Sequence, residues 1–310
     1  MTAAPPARWI GPLFAVIGTL GFSFKAILIK LAYAWHPVDA LTLLTLRMLY
    51  SAPFFLAMAW WASRRPGTAP LDRRDWTRLL ALGFVGYYLA SLLDFMGLAH
   101  ISAALERLVL FLYPTMVVLL SALLLKKPVP RATVFALLLS YAGIVFVFWH
   151  DLAVAADAGA VATGGALVFG SAFCYALYLV GAGDLIGRMG STRFIAFAML
   201  ASTVFVLAQF ALTRPPAALA VPPSIHALSL AMAVFSTVLP TWLVAEAIRR
   251  IGANGTSLVG SLGPVFTIGM GAAILGEPLH AVQLLGAALV LAGVLLVTRR
   301  PRAAGATPDG

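Results

Sequence analysis

Six ionisable residues fall inside long apolar stretches of the sequence. They are Lys25, Lys30, Arg47, Asp94, Glu106 and Arg107. If such a stretch spans a membrane, each charge costs about 2.5–3.5 kcal/mol on insertion scales, which makes it a candidate for function. We predict that the two carboxylates lie within reach of Arg107, Arg47 or Lys30, where they can exchange partners with a ligand ammonium or a proton. The alternative is an ion-pair network that only holds helices together.

Helical spacing places further polar side chains near these charges. A helix in lipid turns its polar face inward, so residues that share a polar face with a charge are candidates to line a cavity. On this basis we predict that a substrate cavity is lined by Lys25, Tyr87, Ser91, Asp94, Glu106, Arg107, Tyr113, Tyr175, Tyr178, Ser257 and Ser261. Tyrosines also anchor helices at membrane interfaces and serine stripes also form packing seams, so both alternatives stay open.

Two prolines and one further acid complete the set of candidates. Pro114 and Pro264 lie in the middle of predicted helices, where each removes a backbone donor and predicts a kink. The kink either frees carbonyl groups for the cavity or is a static bend. Glu246 is either a second gate acid or a partner of Arg249 or Arg250, and we favour the ion pair.

The spacing of the remaining reactive residues excludes several classes of site. The one cysteine, Cys174, lies in an apolar stretch, and the five histidines lack metal-ligand spacing. The sequence contains no zinc-protease motif and no nucleotide-binding glycine-rich loop. We therefore expect no metal, no cofactor and no enzymatic activity, and we expect that this chain does not hydrolyse ATP.

The composition requires lipid as the solvent. Hydrophobic residues make up 62% of the 310 residues and charged residues 10%, against about 25% charged in soluble domains. The mean hydropathy is +0.97. In a soluble protein the net charge of +10 would suggest a nucleic-acid partner. In a membrane protein the distribution of positive charge between the two sides indicates the orientation instead.

Ten apolar runs have the length of a transmembrane helix, which is about 20 residues. They predict an all-α integral membrane protein with helices near 10–32, 41–62, 79–99, 103–125, 131–149, 163–183, 192–213, 226–248, 256–275 and 281–298. The first run is too long for a signal peptide and is read as a retained helix. The tail, 299–310, is basic and then small and polar, which predicts a disordered cytoplasmic segment.

The distribution of Lys and Arg predicts the orientation of these helices. With the N-terminus inside, sixteen basic residues in loops and at helix ends fall on the inner side, and Arg214 falls alone on the outer side. The positive-inside rule therefore predicts a multi-pass protein of the bacterial inner membrane with both termini in the cytoplasm. We use "outer end" below for the end that this rule places outside.

The sequence repeats with a shift of 150 residues. In this register Pro114 matches Pro264, Pro128 matches Pro278 and Gly143 matches Gly293. The shift predicts two five-helix repeats, 9–149 and 163–298. Because five is odd, the second repeat is inverted in the membrane, which is typical of secondary transporters. A duplicated bundle that transports nothing is the alternative.

Several motifs resemble the EamA-type branch of the drug/metabolite transporter superfamily. They are Phe22-Ser23 to Ile29-Lys30, Leu46-Arg47, Ser102 to Pro114 with the following turn, and 262–280 with its Gly-Glu-Pro turn. The resemblance covers roughly 10–298. It implies two EamA repeats around a central cavity, with the fifth and tenth helices at the periphery, and the branch includes exporters of amino acids.

We therefore expect a secondary transporter that moves a small metabolite by alternating access, with amino-acid export as one candidate activity. The alternatives are efflux of a drug or a lipid-linked substrate by the same fold, and a membrane scaffold or channel. The expected partners are a small-molecule substrate, a coupling proton and membrane lipids, with no nucleic acid. The sequence leaves open whether the protein forms a homodimer.

Overall fold

Helices make up nearly all of the computed structural model, which describes residues 9–64, 70–126 and 131–298. The predicted cytoplasmic tail, 299–310, lies outside these residues. In the described part the α-helices are α1 (Ile10–Trp35), α2 (Ala40–Ser63), α3 (Arg73–Gly83), α4 (Ala90–Leu98), α5 (Ala103–Leu110), α6 (Tyr113–Leu125), α7 (Arg131–Val154), α8 (Ala158–Met189), α9 (Ser191–Thr213), α10 (Pro223–Ala233), α11 (Leu239–Gly260), α12 (Gly263–Met270) and α13 (Ala281–Thr298). Three short π-helical segments, Phe84–Leu89, Val234–Val238 and Gly271–Leu275, join or extend them.

The helices group into ten apolar spans. Among the described residues, nine helices are long and apolar enough to cross a membrane, and a shorter apolar helix at Ala281–Gly293 completes the set. Spans 1 and 2 are α1 and α2, span 3 is α3 with α4, and span 4 is α5 with α6. Span 5 is α7. In the second half, span 6 is α8, span 7 is α9, span 8 is α10 with the part of α11 before a break at Gly252, span 9 is the rest of α11 with α12, and span 10 is α13. The predicted all-helical membrane fold is thereby confirmed.

The two halves repeat the same elements 150 residues apart. Helix α3 begins at Arg73 and α10 at Pro223, and each is followed by a π-helical segment, from Phe84 and from Val234. Helix α6 begins at Tyr113 and α12 at Gly263. A π-helical turn and a helix break are uncommon features, so their recurrence at one spacing supports the repeat more strongly than apolar matches do.

Equivalent helices of the two halves pack antiparallel. Asp39, before the start of α2, pairs with Arg214, after the end of α9. Gly143 of α7 lies against Leu289 of α13, and Val147 lies against Gly286. Since a helix and its counterpart run in opposite directions, the second half is inverted relative to the first. Helices α7 and α13 pack mainly on each other and lie at the periphery.

Spans 4 and 9 are broken where kinks were predicted. Helix α5 ends at Leu110 and α6 begins at Tyr113, and span 9 is interrupted in the same way before Gly263. The prolines therefore lie in the first turn of the second piece, where the missing N–H costs little. The prediction of one continuous but kinked helix in each of these spans is therefore wrong. Each helix ends before the proline, and a second helix begins there.

Candidate functional site

An ion pair between span 1 and span 3 forms the centre of the candidate site. The ammonium of Lys25 lies 2.6 Å from Oδ2 of Asp94, whose side chain is 1% exposed, while that of Lys25 is 18% exposed. The two carboxylates were predicted within reach of Arg107, Arg47 or Lys30. Arg47 does lie within electrostatic reach of Asp94, and Arg107 of Glu106, but the cation in contact with Asp94 is Lys25. Helix α1 crosses α4 at the height of Lys25, so this cation reaches the carboxylate first. Lys25 is therefore the more accessible partner of the pair.

Glu106 lies beside this pair without a partner of its own. It is fully buried, and neither of its carboxyl oxygens has a hydrogen-bond partner among the described residues. Asp94, Lys25 and Arg107 are its electrostatic neighbours. A buried carboxylate without a cation in contact is costly, and either a proton or a ligand cation would offset its charge.

Arg107 connects span 4 to the start of α12. Its Nη2 donates to Oγ of Ser23 at 3.0 Å, and that hydroxyl donates to the carbonyl of Gly263 at 3.0 Å. In the described part of the chain no carboxylate lies within 4.0 Å of Arg107, and its buried Nε has no partner. The guanidinium thus lies between the two halves with capacity for further hydrogen bonds.

The other two cations bind neutral groups rather than carboxylates. Nη2 of Arg47 donates to Oγ of Ser91 at 3.1 Å, and its guanidinium lies 5.0 Å from the ring centre of Phe95. Nζ of Lys30 donates to the carbonyls of Ile101 and Leu98 at 3.1 and 3.4 Å. The predicted ion-pair role of Lys30 and Arg47 is therefore wrong at contact distance, because each lies nearer to a polar neighbour than to an acid.

Four tyrosines form an aromatic cluster at the junction of the halves. The hydroxyls of Tyr87 and Tyr178 are 3.0 Å apart. The ring centres of Tyr113 and Tyr175 are 5.1 Å apart, and Tyr175 stacks on Tyr178 at 5.7 Å. Arg107 lies within electrostatic reach of Tyr113, so the aromatic cluster borders the charged one.

The predicted shared face of Tyr87, Ser91 and Asp94 does not hold as one surface. Tyr87 bonds to span 6, Ser91 to span 2 and Asp94 to span 1. The π-helical segment Phe84–Leu89 changes the number of residues per turn just before Ser91. Side chains that a regular helix would align therefore point to different neighbours.

Two predicted residues, Ser261 and Glu246, make their contacts within their own spans. Oγ of Ser261 donates to the carbonyl of Leu258 in its own span, and the side chain of Ser257 lies outside the described residues. Glu246 pairs with Arg249 at 2.5 Å and with Arg250 at 2.8 Å, as favoured from the sequence.

Two residues of the site were missed by the sequence analysis. Ser23 was part of a motif, but its contact with Arg107 depends on how α1 meets α5. Glu277 belongs to the Gly-Glu-Pro turn, and its Oε1 accepts from the backbone N–H of Ala103 at 2.9 Å, across 174 residues. It also lines an outer cavity of about 200 Å³ with His100, Asp151 and His280. The Gly-Glu-Pro turn was the only signal for it.

Metal chemistry receives no support from the described residues, in which no group of three or more His, Cys, Asp or Glu side chains can hold a metal ion. The arrangement offers instead an ion pair, a buried carboxyl group without a hydrogen-bond partner among the described residues, a guanidinium with one hydroxyl contact and an aromatic wall. Such a set can bind a small amphipathic molecule and exchange a proton.

Comparison with known proteins identifies the family. The EamA-like transporter family matches residues 9–149 and 162–299. The chain is 33% identical over 285 residues to a Bacillus subtilis (strain 168) protein named "Uncharacterized transporter YcbK", covering 89% of this chain and 88% of the relative. It is 26% identical over 224 residues to "Uncharacterized transporter YyaM" of the same organism, covering 72% and 73%.

A solved crystal structure shares the fold. It is 19% identical in sequence, with a TM-score of 0.63 over 95% of this chain and 100% of the other. At this identity the likeness supports the fold alone. The two matched segments and the relatives together show that the chain is a multi-pass membrane protein that belongs to the EamA-like transporter family.

Proposed function

We propose that this chain is a secondary transporter of the bacterial inner membrane that exports a small metabolite in exchange for a proton. Membership of the family supports transport as the general activity. The proposal of exchange is carried by one observation: the fully buried Glu106 has no partner among the described residues and lies beside the Lys25–Asp94 pair. The inverted repeat supports alternating access, since two conformations follow from exchanging those of the halves.

The proposed cycle uses the carboxyl groups as a shared binding site. In the empty state Glu106 holds a proton and Asp94 holds the ammonium of Lys25. A substrate ammonium displaces that proton by taking the carboxylate of Glu106, and the proton leaves toward the cytoplasm. After release of the substrate outside, an external proton returns to Glu106. One proton enters for each substrate that leaves, so the proton gradient drives export.

The test is counterflow in proteoliposomes containing the purified protein, with labelled amino acids as the first substrate class. We expect saturable counterflow that a pH gradient accelerates. Glu106→Gln should retain counterflow only at higher substrate concentrations, because its amide oxygen accepts from the substrate ammonium without a charge, and it should lose acceleration by the gradient. Glu246→Gln and Asp157→Asn are matched controls outside the cluster, and both should behave like the wild type.

The alternatives predict different results in the same assay. A channel gives flux without counterflow, and a scaffold gives neither. Efflux of drugs or lipid-linked molecules gives counterflow only with those substrates. Acceleration by a pH gradient that persists in Glu106→Gln would overturn the assignment of the coupling site while leaving transport itself in place.

A further inference from the structure

Positive charge is in excess in the buried cluster. Among the described residues, Lys25, Lys30, Arg47 and Arg107 lie there with only two carboxyl groups, those of Asp94 and Glu106. Glu277 adds a third acid near Lys30. Even with every acid ionised, the cations outnumber the anions. An excess of charge in a membrane interior is costly, and a bound anion would offset it.

Arg107 is the cation with most capacity for an anion. Lys25 is held by Asp94, Lys30 by two carbonyls, and the buried Arg47 by Ser91 and the ring of Phe95. Arg107 and Arg47 each have one hydroxyl contact and an Nε without a partner in the described residues, but Arg47 is buried whereas Arg107 is partly exposed. A guanidinium presents its donors as a planar fork that matches a carboxylate bidentately.

The backbone beside Arg107 also favours an anion. Helix α12 begins at Gly263, and a Cβ at that glycine would lie 3.4 and 3.5 Å from Nη2 and Nε of Arg107. The guanidinium therefore rests against the N-terminal end of this helix, with no side chain between them. Helix N-termini carry a partial positive charge, and broken transmembrane helices direct such ends toward anionic groups of substrates.

We infer that Arg107, Ser23 and the start of α12 form a receptor for a carboxylate of the bound molecule. The inference rests on the proposed function only in taking that molecule to be the transported one. Binding energy comes from the guanidinium and from the backbone at Gly263, while the tyrosine cluster contacts the apolar part. The site selects against cationic molecules that lack a carboxylate, because the four intramembrane cations repel them.

The experiment compares ligands that share one skeleton. Purified protein is titrated with 3-phenylpropionate, with phenylalanine and with 2-phenylethylamine, and the melting temperature is followed against concentration. We expect the two carboxylates to stabilise the wild type and the amine to have no effect. Arg107→Gln should bind both carboxylates roughly tenfold to hundredfold more weakly, as expected for loss of a charge-assisted contact. Arg107→Lys should be intermediate, since it keeps the charge without the fork.

Arg78→Gln, an exposed arginine at the opposite end of the molecule, is the matched control and should bind like the wild type. Each variant must elute from a size-exclusion column as a folded monodisperse species before it is titrated. If Arg107→Gln does not fold, Arg107→Lys provides the test of the receptor. Stronger binding of the amine than of the carboxylates overturns the receptor, and so does carboxylate binding that is unchanged in both Arg107 variants. A wild type that binds neither carboxylate at millimolar concentration overturns it as well. The titration needs no transport, so absent counterflow with Arg107-dependent binding would overturn the proposed function alone.

Discussion

The two halves of the molecule share a scaffold but not its charges. Counted 150 positions on, Asp94 corresponds to Val244 and Glu106 to Thr256. The helix starts and the π-helical segments nevertheless recur at the same spacing. The scaffold of the second half thus forms without acids at these two positions. The difference supports the proposal that Asp94 and Glu106 serve function rather than packing.

The second half contributes a different chemistry to the same place. The position that corresponds to Lys25 holds Tyr175, which packs on Tyr113 and Tyr178. The second half also supplies the start of α12 beside Arg107 and the carboxylate of Glu277 over Ala103. One wall of the site is therefore charged and the other aromatic, and the asymmetry suits an amphipathic ligand better than a symmetric one.

The largest effect should come from giving the first half the residues of the second. Asp94→Val alone strands Lys25 in the membrane and should cost about 3 kcal/mol, the low end for a broken buried pair because Lys25 is 18% exposed. Lys25→Tyr combined with Asp94→Val should recover folded yield and melting temperature while transport stays absent. A double variant less stable than Asp94→Val would mean that the pair is structural. The difference between the two halves would then not support a functional role for Asp94.

A second test addresses the contact that joins the halves at the outer end. Glu277→Ala removes the acceptor of the Ala103 N–H, a bond to a charged group worth about 1.5–3 kcal/mol, and should favour an outward-open state. In a Cys174→Ala background, Leu105→Cys, which lines the outer cavity, should react faster with an impermeant maleimide added outside. Glu277→Gln keeps an acceptor oxygen and should react slowly. Equal rates in the two variants would show that the contact does not hold this end closed.

The aromatic wall should respond more weakly. Tyr87→Phe removes one hydroxyl of the 3.0 Å contact with Tyr178, which is worth about 1 kcal/mol. The ring itself remains, so we expect a few-fold rise in the substrate concentration at half-maximal counterflow with the maximal rate retained. Tyr33→Phe, which removes a hydroxyl bonded to the carbonyl of Phe95 outside this cluster, is the control. A loss of maximal rate in Tyr87→Phe alone would assign the hydroxyl to the conformational step.

The sequence predicted the scaffold well and the contacts poorly, for physical reasons. Apolar runs and a 150-residue shift are properties of single helices and their order, so spans and repeat could be read directly. The partner of Asp94 depends on where α1 crosses α4, and the chain contains four intramembrane cations that could serve. The π-helical segment before Ser91 has no sequence signal that we could use, and it undid the predicted common face. Glu277 acts across 174 residues, beyond any local pattern.

The smallest predicted effect concerns the helix that follows span 1 and its counterpart. Asp39 caps α2 through the N–H groups of Leu41 and Thr42 and lies 3.5 Å from Arg214, whereas Gly190 gives α9 no side-chain cap. Burial alone would raise the pKa of Asp39, but hydrogen bonds from Thr42 and the charge of Arg214 outweigh it and hold the pKa below its ordinary value of 3.8. Because the folded-state pKa of Asp39 is lowered, its stabilisation is complete above pH 3.8 and is lost as the pH falls through the folded-state pKa.

Asp39→Asn keeps the cap without the titration, so the wild type should melt slightly higher at neutral pH and this advantage should vanish at pH values below 3.8. Both side chains are about 40% exposed, which screens the pair and keeps the difference small. Melting temperatures of the two proteins across this range provide the measurement, and an advantage that grows on acidification would contradict the assigned direction of the shift.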